Sequence, residues 1–171
     1  REQALARLDE ALAQTHIVGL ATNVQFLRMV ARTDSFAKAN LDTALIPREE
    51  AVLFQQERVG LPLAAAAAVA QTLLRERATE GADPFSRRDG WRSHGLVERR
   101  FEFDFNGAHA KASLAYLHDG ALRLTVGDGP EAVSGPLVFE AAAGGINLQY
   151  AGQRTQATVY AMGETDHVFT P

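Results

Sequence analysis

Residues 61–77 offer almost no polar face: Pro62 supplies a first-turn residue, then Leu63, five consecutive alanines, Val69, Ala70, Leu73 and Leu74 follow. A helix that is apolar all round must be covered all round. This one is too short, and too charged towards Arg75, Glu76 and Arg77, to span a bilayer, so its cover is expected to be protein. Alanine side chains keep such a helix narrow enough for a sheet to curl closely about it.

The second half of the chain supplies a sheet. Phe101, Phe103 and Phe105 alternate with Glu102, Asp104 and Asn106, the two-residue period of a strand with one wet face, and Asn106-Gly107 is a strong hairpin signal. Beyond it, Ala110, Ala112, Leu114 and Tyr116 are set on one face and His109, Lys111 and Ser113 on the other. The meander continues through Leu122, Leu124 and Val126, a run around Leu137 to Phe139, then Ile146, Leu148 and Tyr150, then Ala157, Val159 and Ala161, and finally His167 to Phe169. Tight turns between seven or eight short strands predict an antiparallel barrel or strongly rolled sheet.

The helix and the meander solve each other's burial problem. A barrel standing empty beside the helix would leave half of the alanine surface in water, at about 25 cal/mol per Å² of apolar area. The filled barrel is therefore the expected arrangement, and an empty, small-ligand-binding β-barrel is the alternative.

Ahead of this pair, Ala4, Leu5, Leu8, Ala11 and Leu12 make the apolar stripe of a helix from Glu2 to about Thr15, with Gly19 following in its C-cap region. Thr22 or Asn23 is placed to cap a second helix carrying Phe26, Leu27, Val30 and Ala31, and a third short helix is expected from Asp34 or Ser35. Pro47 before Arg48, Glu49 and Glu50 predicts a helix running to about Phe54. Helices first and strands after make the fold class α+β.

Catalytic chemistry finds no footing. The histidines, His16, His94, His109, His118 and His167, show no metal-ligand spacing, and the glycines cluster at hairpin tips with no P-loop or dinucleotide fingerprint. No serine sits in a Gly-x-Ser-x-Gly elbow, and Glu102 and Asp104 are explained by strand alternation. With no cysteine there is no disulfide frame, thiolate zinc site or Cys nucleophile, which fits a cytoplasmic location. Arg87, Arg88, Arg92, Arg99 and Arg100 surround Trp91, yet the formal charge of -4 and the interleaved Glu98, Glu102 and Asp104 argue against nucleic acid, and no membrane segment or signal peptide is read.

The run from His16 through Gly19, Thr22, Asn23 and Leu27, followed by Leu41-Asp42-Thr43-Ala44-Leu45-Ile46, resembles the extreme C-terminus of biotin carboxylase domains. Asp83-Pro84-Phe85 with Arg88-Asp89-Gly90-Trp91-Arg92 is similar to the loop entering the BT domain of biotin-dependent acyl-CoA carboxylases, most like the 3-methylcrotonyl-CoA and geranyl-CoA enzymes, and Asp166 to Pro171 resembles the strand leading to the carrier. The resemblance implies residues 1–46 as biotin carboxylase C-terminal helices, 47–60 as a linker helix and 61–171 as a BT domain, itself a central helix (61–79), a hook loop (80–92) and a barrel (93–171). It further implies a helix surrounded by an antiparallel barrel, a module that links biotin carboxylase to the carrier and docks a carboxyltransferase subunit, and an interface through Phe85, Arg88, Asp89, Trp91 and Arg92.

The parent enzyme would use biotin, ATP and Mg to carboxylate an acyl-CoA. The chain itself departs from that chemistry: an ATP-grasp body is expected to precede Arg1, and both lysines, Lys38 and Lys111, sit between alanines and not in a Met-Lys-Met biotin acceptor. No cofactor is therefore expected to bind here. Residues 1–46, read as parted from a larger body, are expected to expose apolar side chains.

Overall fold

The computed structural model describes residues 1–54 and 59–171, so residues 55–58 of the expected 47–60 linker helix lie outside the described residues, and Val59 and Gly60 at its end are not helical. The chain divides into two compact units, Arg1–Arg58 with Pro171, and Val59–Thr170. The class is α+β, with helices first and two antiparallel sheets after.

In the first unit, α1 (Glu2–Ala13) and α2 (Val24–Arg32) are joined by a shared carboxylate: Asp9 lies 3.2 Å from Arg28 and 2.7 Å from Arg32. The hydrogen bond from Arg32 is the largest influence holding the Asp9 carboxyl below its ordinary range. α3 (Asp34–Ala37) starts at the expected residue, capped by the Thr33 hydroxyl, which accepts the Phe36 N–H at 3.3 Å. The Asn23 side chain makes no capping bond, although it occupies the N-cap position of α2. In place of one helix from Pro47 to Phe54 there are two short ones, α4 (Leu45–Arg48) and α5 (Glu50–Leu53), broken at Glu49. Leu20, Leu41 and Ile46 are exposed in this unit, as expected of residues 1–46, and so are Val52 and Phe54 just beyond.

In the second unit α6 (Leu61–Ala78) is the centre of the core. Ala64, Ala65, Ala66 and Ala67 are all buried. Successive helical residues point about 100° apart, so four in a row take in most of the circumference. Val69, Ala70 and Leu73 extend that burial, and α6 packs against strands of both sheets.

The first sheet runs β1 (Val97–Phe105), β2 (Ala108–Tyr116), β3 (Leu122–Val126), β4 (Val133–Pro136) in order. The second runs β5 (Val138–Ala142), β6 (Gly145–Tyr150), β7 (Gln153–Met162), β8 (Thr165–Phe169). All ladders are antiparallel between sequence neighbours. Among the described residues the ladders form two four-stranded sheets and no closed ring: β4 does not pair with β5, where the single strand expected around Leu137 is two strands that part at that residue, and β8 does not pair with β1. The Leu137 N–H bonds the Leu122 carbonyl at 2.9 Å while its side chain is buried, so the backbone turns a corner there.

The period-two reading places most of the core, with Ala161, expected on the inner face, exposed instead. Ala110, Ala112, Leu114, Leu122, Leu124, Val126, Ile146, Leu148, Tyr150 and Ala157 are all buried. Asn106 and Gly107 take φ of 52° and 82°, the left-handed pair of a type I′ turn, and Phe105 pairs with Ala108 across it. The Tyr150 hydroxyl, from the second sheet, donates towards the Val133 carbonyl at 2.6 Å and lies 3.2 Å from that of Leu124, both in the first sheet.

Candidate functional site

The segment between α6 and β1 carries every residue singled out for an interface. It leaves the end of the helix and is pinned at three points. Ser86 is the first: its hydroxyl accepts the Gly81 N–H at 2.9 Å and bonds the Asp83 carbonyl at 2.7 Å. Glu80 is the second, with Oε1 accepting the Arg88 N–H at 2.9 Å. The third is Glu76 in the last turns of α6, whose Oε1 lies 3.4 Å from the Arg88 guanidinium.

The same Glu76 carboxylate takes a bidentate contact from Arg99 at 2.6 and 2.7 Å, and the Arg99 guanidinium also lies 4.8 Å from the Phe101 ring centre. A charge-assisted fork of this kind is stronger than a neutral bond and fixes orientation as well as distance. The Arg99 hydrogen bonds pull the Glu76 carboxyl below its ordinary value, and Glu76 in turn raises the Arg99 guanidinium.

On this mount stand two aromatic side chains in open solvent. Phe85 belongs to a single 3-10 turn (Pro84–Ser86) and is 96% exposed; Trp91 is 80% exposed. Local packing, the plain explanation for an aromatic in such a loop, therefore does not account for either. Asp83 and Asp89 do parallel jobs beside them: Asp83 Oδ1 accepts the Phe85 N–H at 3.1 Å, and Asp89 Oδ1 accepts the Trp91 N–H at 3.0 Å. Each carboxylate thus closes a small turn that presents the aromatic two residues on.

Gly90 sits between them at φ +72°, and a Cβ there would lie 2.4 Å from Cγ of Tyr116. Only glycine permits both that backbone and that approach. Arg92 is exposed, like Arg87 and Arg88. Of the interface candidates, then, Phe85, Arg88, Asp89, Trp91 and Arg92 lie along one pinned loop, Phe85 and Trp91 as its exposed aromatics, Arg88 and Asp89 tied into its framework.

Sequence reasoning passed over Glu76, Glu80, Ser86 and Tyr116. The acids had a signal, two carboxylates four residues apart at the end of a helix just before a cluster of arginines. Tyr116 had none, because its contact depends on the register of β2.

No group of three or more His, Asp or Glu among the described residues is placed to hold a metal ion. A surface groove of about 610 Å³ runs over the exposed face of β5, β6 and β7, where Glu140 pairs with Asn147 and Arg154 with Gln149. Lys38 is paired with Asp34 at 2.7 Å, and Lys111 lies within the β1–β2 ladder opposite Glu102. No described helix is long and apolar enough to cross a membrane.

Comparison with known proteins gives this architecture a class, that of the biotin-dependent acyl-CoA carboxylases. Residues 1–48 match the biotin carboxylase C-terminal domain, and residues 60–171 match the BT domain of the methylcrotonyl-CoA carboxylase alpha-subunit. The second match covers more than half of the chain, which belongs to the methylcrotonyl-CoA carboxylase alpha-subunit BT-domain family.

Among curated relatives, the mitochondrial methylcrotonoyl-CoA carboxylase subunit alpha of Dictyostelium discoideum is 29% identical over 109 residues, 61% of this chain and 16% of that protein. A chloroplastic biotin carboxylase of Populus trichocarpa is 32% identical over 59 residues, 34% of this chain and 11% of that protein. The urea amidolyase of Saccharomyces cerevisiae is 35% identical over 46 residues, 27% of this chain and 2% of that protein. The chain thus spans 16% or less of the length of these relatives.

Proposed function

We propose that this chain is a connector without catalytic groups of its own, which joins biotin carboxylase to the biotin carrier and docks a carboxyltransferase subunit through the loop at 80–92. In this reading residues 1–46 are the last helices of biotin carboxylase, 47–60 the linker and 61–171 the BT module; the matched stretches, 1–48 and 60–171, support that division. The parent enzyme carboxylates 3-methylcrotonyl-CoA or a similar acyl-CoA, using ATP, Mg and biotin held elsewhere in the assembly. The name of the Dictyostelium relative supports the substrate class. That relative is mitochondrial by name, whereas the cytoplasmic reading for this chain rests on its lack of cysteine.

The observation that carries the docking role is the loop itself. A purely structural loop gives no reason to leave both Phe85 and Trp91 in water, since each exposed ring forgoes the gain of about 2 kcal/mol that burial brings. Aromatic side chains in that position are typical anchors of protein interfaces.

The two sheets are read as halves of one rolled sheath about α6, the barrel of the BT module. The Tyr150 hydroxyl bridging from β6 to β3 and β4 supports this. The alternative, a barrel that holds a small ligand, loses its support where α6 takes up the interior with Ala66, Ala67, Val69 and Ala70.

The test is binding of the subunit that carries this chain to its carboxyltransferase subunit. Trp91→Ala is expected to weaken the complex by at least about tenfold while the fold is unchanged. Affinity unaltered by that substitution, or no complex at all, counts against the docking role.

A further inference from the structure

Two acids of the docking loop have a task there that their charge does not explain, and this inference rests on the docking reading above. The loop carries no surplus charge: Glu80, Asp83 and Asp89 are matched by Arg87, Arg88 and Arg92. Asp83, Arg87, Arg88, Asp89 and Arg92 are all exposed, with the two signs interleaved along the chain. A partner patch of either sign meets repulsion along with attraction, which leaves the open rings of Phe85 and Trp91 as the part of the loop that gains most by contact.

The sequence around these rings repeats. Asp83-Pro84-Phe85 and Asp89-Gly90-Trp91 each set an aspartate two residues ahead of an aromatic, and in each the aspartate Oδ1 accepts the aromatic residue's N–H, at 3.1 and 3.0 Å. The residues between them have opposite backbone habits: the ring of Pro84 holds its φ negative, whereas Gly90 takes φ +72°. Two unlike turns thus share one hydrogen bond, and that bond, more than the residue it spans, is what the pair has in common.

We infer that Asp83 and Asp89 are positioning residues for docking: each acts as a hydrogen-bond acceptor that holds the aromatic two residues on in place for an uncharged, apolar recess on the carboxyltransferase subunit. Closing the turn before contact spares the complex the cost of ordering an exposed loop on binding. Asparagine supplies the same acceptor through its amide oxygen without the charge, and alanine supplies neither. The three side chains therefore separate positioning from electrostatics.

The experiment measures the affinity of the intact biotin-containing subunit for its carboxyltransferase subunit, for the wild type, Asp83→Asn/Asp89→Asn, Asp83→Ala/Asp89→Ala, and Asp89→Ala with and without Trp91→Ala. The asparagine pair is expected within about threefold of wild type and the alanine pair weaker by about tenfold or more. Asp89→Ala alone is expected to lose affinity, yet to add less than about twofold once Trp91→Ala is present, because Asp89 acts through that ring. An asparagine pair as weak as the alanine pair would show that the charge is what matters, and an alanine pair within about twofold of wild type that the turns are idle. Equal losses from Asp89→Ala in both backgrounds would put Asp89 itself against the partner. Each of these three results overturns the positioning role and leaves docking standing. No wild-type complex, or full affinity in Trp91→Ala, sinks the docking reading itself and the positioning role with it.

Discussion

The Arg99 guanidinium lies fork to fork on the Glu76 carboxylate, Nη1 2.6 Å from Oε2 and Nη2 2.7 Å from Oε1, joining β1 to the last turns of α6. Because Arg88 reaches the same carboxylate, one side chain of the central helix fixes both the strand that follows the loop and the loop itself. The core and the exposed aromatics are thereby mechanically continuous.

Glu76→Gln is expected to cost about 1 kcal/mol near neutral pH, since Arg99 is partly open to solvent and its pairing is screened. The sign with pH follows from the carboxyl's lowered value. Its stabilising contribution is complete above its ordinary value of 4.5 and is lost as pH falls through the lower folded value. Urea unfolding of wild type and variant should therefore differ by a constant amount at neutral pH and converge in acid. A gap that widens below pH about 4 would contradict the assignment.

Enlarging the buried alanines should be costly, and the cost should depend on which one is enlarged. Ala67 is fully buried, so Ala67→Leu has nowhere to put its added carbons and should destabilise by about 1 to 3 kcal/mol. Ala68, one residue on, is only partly buried, and Ala68→Leu should cost clearly less. Equal midpoints for both variants in thermal unfolding followed by circular dichroism would show that the strands do not close on α6 as described.

Tyr150→Phe removes one oxygen and leaves the Val133 carbonyl without the hydroxyl that donates to it. The ring is retained, so the loss isolates the bridge between the two sheets, at about 1 to 3 kcal/mol. A melting temperature equal to that of wild type would mean that the bridge carries no weight.

Phe85→Ala and Trp91→Ala should leave stability within about 0.5 kcal/mol of wild type, because neither ring is packed. Trp91 is the only tryptophan, so in the free chain its fluorescence should be fully open to acrylamide quenching. A protected fluorophore, or a large loss of stability in either variant, would place these rings in the core instead.

Gly90→Ala should disturb the loop by a separate route, through a backbone at φ +72° and a contact with Tyr116 that admits no Cβ. The cost is about 1 to 2 kcal/mol of backbone strain, together with weaker docking even though no interface side chain is altered. Retained affinity would show that the loop reaches its partner without the Gly90 turn.

How far the fold could be read from sequence depended on the range of the interactions. The period-two strands and the alanine helix were legible because each declares its burial locally, as in Phe101 to Phe105 and Ala64 to Ala68. The split at Leu137 was not, since a strand that changes sheets keeps its extended pattern and differs only in its partners. The same holds for the helix expected from Pro47: its composition suits a helix throughout, and the break at Glu49 is visible only in the folded chain. At the candidate site, Phe85 and Trp91 could be chosen from the motif, but the motif could not decide between packing and exposure. Glu76 lies 15 residues before Trp91; its spacing from Glu80 ahead of the arginines marked it as a candidate for pairing, but which arginines it meets is set only when α6 and β1 are brought side by side.

The central claim, that the loop at 80–92 is where this chain meets a carboxyltransferase subunit, is tested most directly by hydrogen–deuterium exchange of the chain with and without that subunit at saturating concentration. Slowed exchange concentrated in peptides spanning residues 83–92, with the β5–β8 sheet unchanged, is the expected result. Unaltered exchange in those peptides, with protection appearing elsewhere on the chain, would contradict it.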